Sequence, residues 1–316
     1  MPDRLGPPRD APVFGRVAIV GMGLIGSSIA RAARQLNLAG AIVAVDRDEA
    51  VAARVRELGI ADEVTTDAAA GVEGCDHVIL CVPVGACGAV AAAIRDALAP
   101  GSIVSDVGSV KASVVAQVQP HLPEGVAFVP AHPVAGTEHS GPDAGFPTLF
   151  LNRWCILTPP EGTPEAAVER VRDLWTAMGS DVEIMTPGHH DLVLAITSHV
   201  PHLIAYNIVG TAADLETVTQ SEVIKFSAGG FRDFTRIAAS DPTMWRDIFL
   251  HNKGAVLEML GRLNEDIALL ARAIRWDDGD TLFNLFTRTR AIRRSIITQG
   301  QETPEPDFGR RRPDPI

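Results

Sequence analysis

His132 combines a titratable group with a position a ligand could reach. It stands in Phe128-Val129-Pro130-Ala131-His132-Pro133-Val134-Ala135-Gly136-Thr137-Glu138-His139-Ser140-Gly141. The run from Val126 to Val129 is short, apolar and partly β-branched, which predicts a buried strand stopped by Pro130. His132 then falls just past a strand's carboxyl end. In open parallel sheets that edge faces the crevice where ligands bind, and a neutral imidazole there is suited to accepting a proton. The plain alternative is that His132-Pro133 only terminates a strand.

Three further stretches carry candidate chemistry. Asp106-Val107-Gly108-Ser109-Val110-Lys111 follows another predicted strand, Ile103 to Ser105. Ser109 there is placed to donate to an amide or hydroxyl of a bound ligand, or else to cap a helix, and Lys111 reads as a solvated helix residue. His199 and His202 share a helix face with Pro201 between them, predicting either satisfied core histidines or a pocket wall. Without a third ligand at metal spacing, no metal is expected. In Phe231-Arg232-Asp233-Phe234-Thr235-Arg236 the two arginines lie four apart among apolar residues. At least one is expected to be partly buried, against Asp233 or an anionic ligand.

These residues need a frame. Arg16 to Val20 reads as a strand running into Gly21-Met22-Gly23-Leu24-Ile25-Gly26 and a helix to Leu36. In that context G-x-G-x-x-G predicts a dinucleotide site: a tight turn, an open approach for pyrophosphate, and close helix-on-strand packing. The next strand, Ala41 to Val45, ends at Asp46, twenty residues after Gly26 and placed to bind both ribose hydroxyls. That carboxylate would repel a 2′-phosphate and favours NAD, while Arg47 keeps NADP open. A helix from Glu49 to Leu58, a strand from His77 to Val82 closed by Pro83, and a helix from Ala86 to Leu98 continue the alternation. Val82 and Pro83 lie at the cofactor edge. Trp154 to Leu157, Pro164 to Met178 and Asp181 to Met185 complete it.

The chain has 316 residues, enough for two domains, with 46% apolar and 5% aromatic residues and a formal charge of −11. That charge argues against nucleic acid and anionic membrane surfaces as partners. The four cysteines show no CxxC spacing and are expected to be reduced. The first fourteen residues carry no apolar core for a signal or anchor, and no run nears ~20 uninterrupted apolar residues. A cytoplasmic protein is expected.

The expected fold is α/β: a Rossmann-type, mostly parallel doubly wound sheet over 15–187, followed by an all-α dimerisation domain over 188–299. Segments 1–14 and 300–316 are expected to be disordered. The region from Asp191 to Gly210 is apolar nearly all round, which predicts a helix buried on most faces. Asp241-Pro242 opens a helix expected to run to Ile274, with Val256, Leu260, Leu263, Ile267, Leu270 and Ile274 as a lengthwise seam. That seam would pack on the Leu282 to Ile297 helix or on a second subunit, and a homodimer is preferred.

Together these motifs resemble the prephenate/arogenate (cyclohexadienyl) dehydrogenase family over about Val17 to Ile297. The specific points are the glycine loop, Asp106 to Lys111, His132 to Glu138, Ser198 to His202 and Gly229 to Ala238. The resemblance implies NAD-dependent oxidative decarboxylation of prephenate, arogenate or both, in a cleft between the two domains of a homodimer. By the same resemblance His132 is the histidine that binds the ring hydroxyl, Arg236 binds a substrate carboxylate, and Ser109 lies near nicotinamide and substrate. His202 is a second pocket histidine, and Glu138 and Asp233 are acidic residues at the pocket mouth. With no regulatory or mutase segment expected, tyrosine inhibition would act at the active site. A hydroxyacid dehydrogenase or pyrroline carboxylate reductase of similar architecture, or an NAD-sensing module, is the alternative, but none of these accounts for all four motifs beyond the glycine loop.

Overall fold

A computed structural model describes residues 5–137, 139–219 and 229–298. Its first half is a six-stranded parallel sheet in the order β3-β2-β1-β4-β5-β6, from β1 (Phe14–Val20), β2 (Ala39–Val45), β3 (Glu63–Thr65), β4 (His77–Leu80), β5 (Ile103–Asp106) and β6 (Ala127–Phe128). This is the doubly wound order of dinucleotide folds. Strand sequences explain the sandwich. Along β1, Val17 and Ile19 enter one apolar cluster while Ala18 and Val20 enter another on the opposite face, so the strand is apolar throughout because helices cover both sides. Helices α1 (Leu24–Leu36), α2 (Glu49–Leu58), α3 (Ala68–Val72), α4 (Cys87–Ile94), α5 (Ala112–Val118) and α6 (Glu165–Ala177) supply that cover.

The chain does not add its next strands to this sheet. β7 (Ala131–Pro133), β8 (Trp154–Leu157) and β9 (Asp181–Ile184) form a separate three-stranded sheet, with β7 antiparallel to β8 and β8 parallel to β9. His132 therefore lies inside a short strand opposite Ile156, rather than in a loop past one. Pro130 ends the first sheet, as expected, and the chain at once begins the second.

The start of the chain is also more ordered than its composition implied. Arg9 donates its backbone N–H to Leu36 O at 2.9 Å and its side chain pairs with Asp173, while Phe14 is a buried strand residue. The expected tail, 300–316, lies outside the described residues.

The second half is helical: α7 (Pro187–Leu194), α8 (Val200–Thr219), α9 (Gly229–Thr235), α10 (Pro242–His251), α11 (Lys253–Arg275) and α12 (Gly279–Thr298). A π-helical turn, Ala195–His199, joins α7 to α8, with Val200 N–H bonded to Ala195 O. Pro201 has no N–H to continue an α-helical ladder, and the widened turn precedes it directly. The single helix expected from Pro242 to Ile274 is instead two, broken at Asn252 (φ −106°, ψ 29°). Nor is the helix over 191–210 buried on most faces in the single chain: Leu192, Ile196, Ile208 and Val209 are exposed. The stretch Pro187–Asp214 is long and apolar enough to span a bilayer by length and composition, with a mean hydropathy of 1.5. Its His199 and His202 rings, however, are engaged inside the protein.

Candidate active site

The glycine loop has the shape a dinucleotide needs. Gly21 has φ +100°, and a Cβ there would lie 2.4 Å from Cys81 O and 3.2 Å from Val82 Cγ1. A Cβ on Gly26 would lie 2.0 Å from Gly21 O, so both positions require glycine. A Cβ on Gly23 would meet nothing within 4 Å, and no side chain caps the helix that Gly23 opens. The first amides of α1, at Leu24 and Ile25, thus face open space that suits a pyrophosphate. Asp46 at the end of β2 accepts the Met22 N–H at 2.8 Å, which ties the acidic side chain to the loop, and Arg47 beside it is exposed. Val82 and exposed Pro83 border the same edge.

His132 is 6% exposed and its Nδ1 lies 2.8 Å from Nε2 of His190. Burial, then the neighbouring His190, Lys111 and His199, hold its pKa well below the usual histidine value. An imidazole so placed stays available as a proton acceptor to lower pH than a solvated one.

Lys111 overturns its sequence reading. Far from solvated, it is fully buried, ion-paired with Asp106, and donates to Ala131 O at 2.8 Å. It therefore joins the carboxyl end of β5 to the strand that carries His132. Burial raises the Asp106 pKa, against the pull of Lys111.

Ser109 is half-buried at the same edge and is not a helix cap. The N-terminus of α5 is capped from the other half of the chain: Asp191 accepts the N–H of Lys111 at 2.7 Å and of Ala112 at 2.9 Å. Asn252, at the break between α10 and α11, donates to Asp191 O at 2.8 Å and lies 3.0 Å from His199 Nδ1. His251 adds a contact to Ser113 at 2.9 Å. The two halves are thus joined through buried polar groups around His132.

His199 is fully buried, and burial takes its pKa down to about 4; it is a core histidine. His202 is half-buried, stacked on Trp245 at 3.7 Å, and donates from Nδ1 to Ser198 O at 2.8 Å, leaving Nε2 as an acceptor. Burial, partly countered by the Ser198 bond, lowers its pKa, and Arg236 lowers it further, so Arg236 stands within electrostatic reach of His202.

The arginines are not buried. Arg236 is exposed on the 3₁₀ turn Arg236–Ala239, with no ion-pair partner among the described residues. Arg232 pairs loosely with Asp233 at 3.6 Å, both largely in solvent. Glu138 lies outside the described residues. Among the described residues, no cluster of three metal-ligating side chains is present.

The sequence matches the description "Prephenate dehydrogenase, nucleotide-binding domain" over residues 29–184 and "Prephenate dehydrogenase, dimerization domain" over 186–288. The chain belongs to the prephenate dehydrogenase family. A cyclohexadienyl dehydrogenase of Zymomonas mobilis is 44% identical over 90% of this chain and 97% of its own length. The crystal structure of Aquifex aeolicus prephenate dehydrogenase with hydroxyphenyl propionate and NAD+ superposes with a TM-score of 0.84 at 35% identity, covering 89% of this chain and 98% of that one. Synechocystis arogenate dehydrogenase gives 0.76 at 25% identity, covering 89% and 99%.

Within this prephenate dehydrogenase family member, sequence reasoning missed His190, Asp191, Asn252 and the buried role of Lys111. A signal for the first two existed in His189-His190-Asp191, polar residues opening an otherwise apolar helix just after Pro187-Gly188. Asn252 gave none, because a helix broken by an asparagine has the same apolar spacing as a continuous one.

Proposed function

We propose that this chain is an NAD-dependent dehydrogenase that oxidatively decarboxylates prephenate, arogenate or both, in the cleft between residues 15–187 and 188–299. The observation that carries it is His132: a buried imidazole, held neutral, with Nε2 hydrogen-bonded to nothing among the described residues. The substrate class is a cyclohexadiene with a hydroxyl at C4 and a carboxylate on the ring. When bound, the oxidised nicotinamide supplies the acceptor for the C4 hydride. His132 takes the hydroxyl proton at Nε2. Arg236, within electrostatic reach of His202 and without an ion-pair partner among the described residues, holds a substrate carboxylate that an acidic protein would otherwise repel. Ser109 donates near the nicotinamide and the substrate, His202 forms the opposite wall, and Asp233 lines the mouth. Loss of carbon dioxide leaves its bonding electrons in the ring, which becomes aromatic.

The glycine loop Gly21 to Gly26, Asp46, Val82 and Pro83 hold the dinucleotide; Asp46 favours NAD and Arg47 leaves room for NADP. The exposed apolar faces of α8, α11 and α12 support a homodimer, and with those faces covered a cytoplasmic protein.

The test is incubation with NAD and either prephenate or arogenate, following reduced nicotinamide and carbon dioxide together. Equal yields of both products are expected, and the substrate that gives them identifies the side chain accepted. NAD binding without turnover of either substrate would refute the assignment.

A further inference from the structure

Whether His132 is a base depends on which ring nitrogen carries its proton, and a chain of buried groups decides that. Nδ1 of His132 lies 2.8 Å from Nε2 of His190, and Nδ1 of His190 lies 2.8 Å from Oδ1 of Asp191. A carboxylate accepts hydrogen bonds and has none to give. Both Asp191 oxygens already accept backbone N–H groups, Lys111 at 2.7 Å and Ala112 at 2.9 Å, which fixes how the carboxylate is turned. His190 must then donate from Nδ1. Neutral, it keeps a lone pair on Nε2, and the only proton that can fill that contact is one on Nδ1 of His132. Nε2 of His132 is left bare.

We propose that His190 and Asp191 are positioning residues that lock His132 in the Nδ1–H tautomer, presenting Nε2 to the crevice as the proton acceptor. The role presupposes His132 as the base in the proposed reaction. When Nε2 takes a proton, the existing bond to His190 is kept and the ring need not turn.

The intervening imidazole has its own use. A carboxylate directly on His132 would stabilise the imidazolium and hold it protonated. Here the nearest groups are His190, Lys111 and His199, each of which disfavours the cation. Lys111 is itself neutralised by Asp106. The chain runs from β7 to α7, so the acceptor nitrogen is set only where the two halves of the protein meet.

The test is ¹⁵N NMR of histidine-labelled, full-length protein with NAD and no substrate at neutral pH, with His132 assigned by loss of its signals in His132→Gln. The expected spectrum shows a protonated Nδ1 and a bare Nε2 on His132. An Nε2–H signal overturns the proposal whatever any variant does. His190→Gln, which can still accept from His132 and donate to Asp191, should keep kcat within about 10-fold, whereas His190→Ala should lose more than about 100-fold. Equal losses in those two variants would overturn the proposal. Because the spectra need no substrate, the expected tautomer in a protein that turns over neither prephenate nor arogenate would sink the reaction and leave the positioning chain standing.

Discussion

Burial decides what His132 can do. A buried imidazole surrounded by His190, Lys111 and His199 is neutral across the ordinary pH range, and a base with a lowered pKa reaches full activity at a lower pH than a solvated one. The acid limb of kcat/KM set by His132 should therefore lie well below the usual ~6.5, with a level profile from there to about pH 8. A limb centred at or above that value would contradict this. His132→Asn should reduce kcat by about 10²- to 10⁴-fold. Arg236 acts differently, because it is exposed in the free chain and its interaction with a substrate carboxylate is gained on binding. Arg236→Ala should raise KM by about 10- to 100-fold with little change in kcat; steady-state kinetics showing an unaltered KM would remove it from the site.

Two elements turn backbone geometry into function. In the glycine loop the three glycines differ in what surrounds them. Gly26→Ala drives a Cβ into Gly21 O and should lower the melting temperature. Gly23→Ala meets no protein atom, so it should leave the melting temperature within about 2 °C while weakening NAD binding by about 10-fold or more. Calorimetry of both variants separates the turn's structural and ligand roles, and equal binding in Gly23→Ala would show that the pyrophosphate lies elsewhere. The second element is the break between α10 and α11. A continuous helix would carry Asn252 in its ladder; the break frees it to serve Asp191 and His199 in a buried setting. Asn252→Ala removes the donor to His199 Nδ1 and leaves Asp191 O with the Ala195 N–H alone, and should cost about 1–3 kcal/mol in urea unfolding. A change below about 0.5 kcal/mol would mean that the break is not held by this side chain.

At the scale of the molecule, the apolar surface and the histidines set behaviour. Ile267, Ile274, Phe283 and Phe286 on α11 and α12 are more than half exposed, far from the burial such residues seek. Sedimentation should give a dimer, and Ile267→Glu with Phe283→Glu should shift it to monomer; a monomeric parent protein would disprove that cover. His77, His132, His190, His199 and His202 all have pKa values lowered, first by burial. For such groups the unfolded chain binds protons first. Their contribution to stability is complete above about pH 6.5 and is lost as pH falls through the lowered folded values. Asp106, raised by burial, runs the other way, and the lowered carboxylates Glu63 and Asp76 act at more acidic pH. Urea midpoints should therefore drop between about pH 6.5 and 5 with uptake of more than one proton on unfolding. A flat profile over that window would show that these rings stay solvated.

The sequence alone determined whatever depends on local repeats and turns. The apolar strands, the glycine loop ending at Asp46 and the succession of helices after Pro187 were legible, because alternation, glycine spacing and apolar periodicity act over a few residues. His132 was singled out for the same reason, its place beyond an apolar run closed by proline. Only the tertiary structure decided that β7 leaves the first sheet, that Asn252 splits a helix, that Lys111 is buried and that Asp191 caps a helix 79 residues earlier in the chain. A lysine in a short polar motif reads as solvated until a carboxylate and a carbonyl from other strands surround it. Likewise the protonation of His132 is set by His190 and Asp191, which approach it only after the helical half packs against the sheet. Hydrogen bonds and desolvation depend on what is near in space, and that distance is not written in the spacing of residues along the chain.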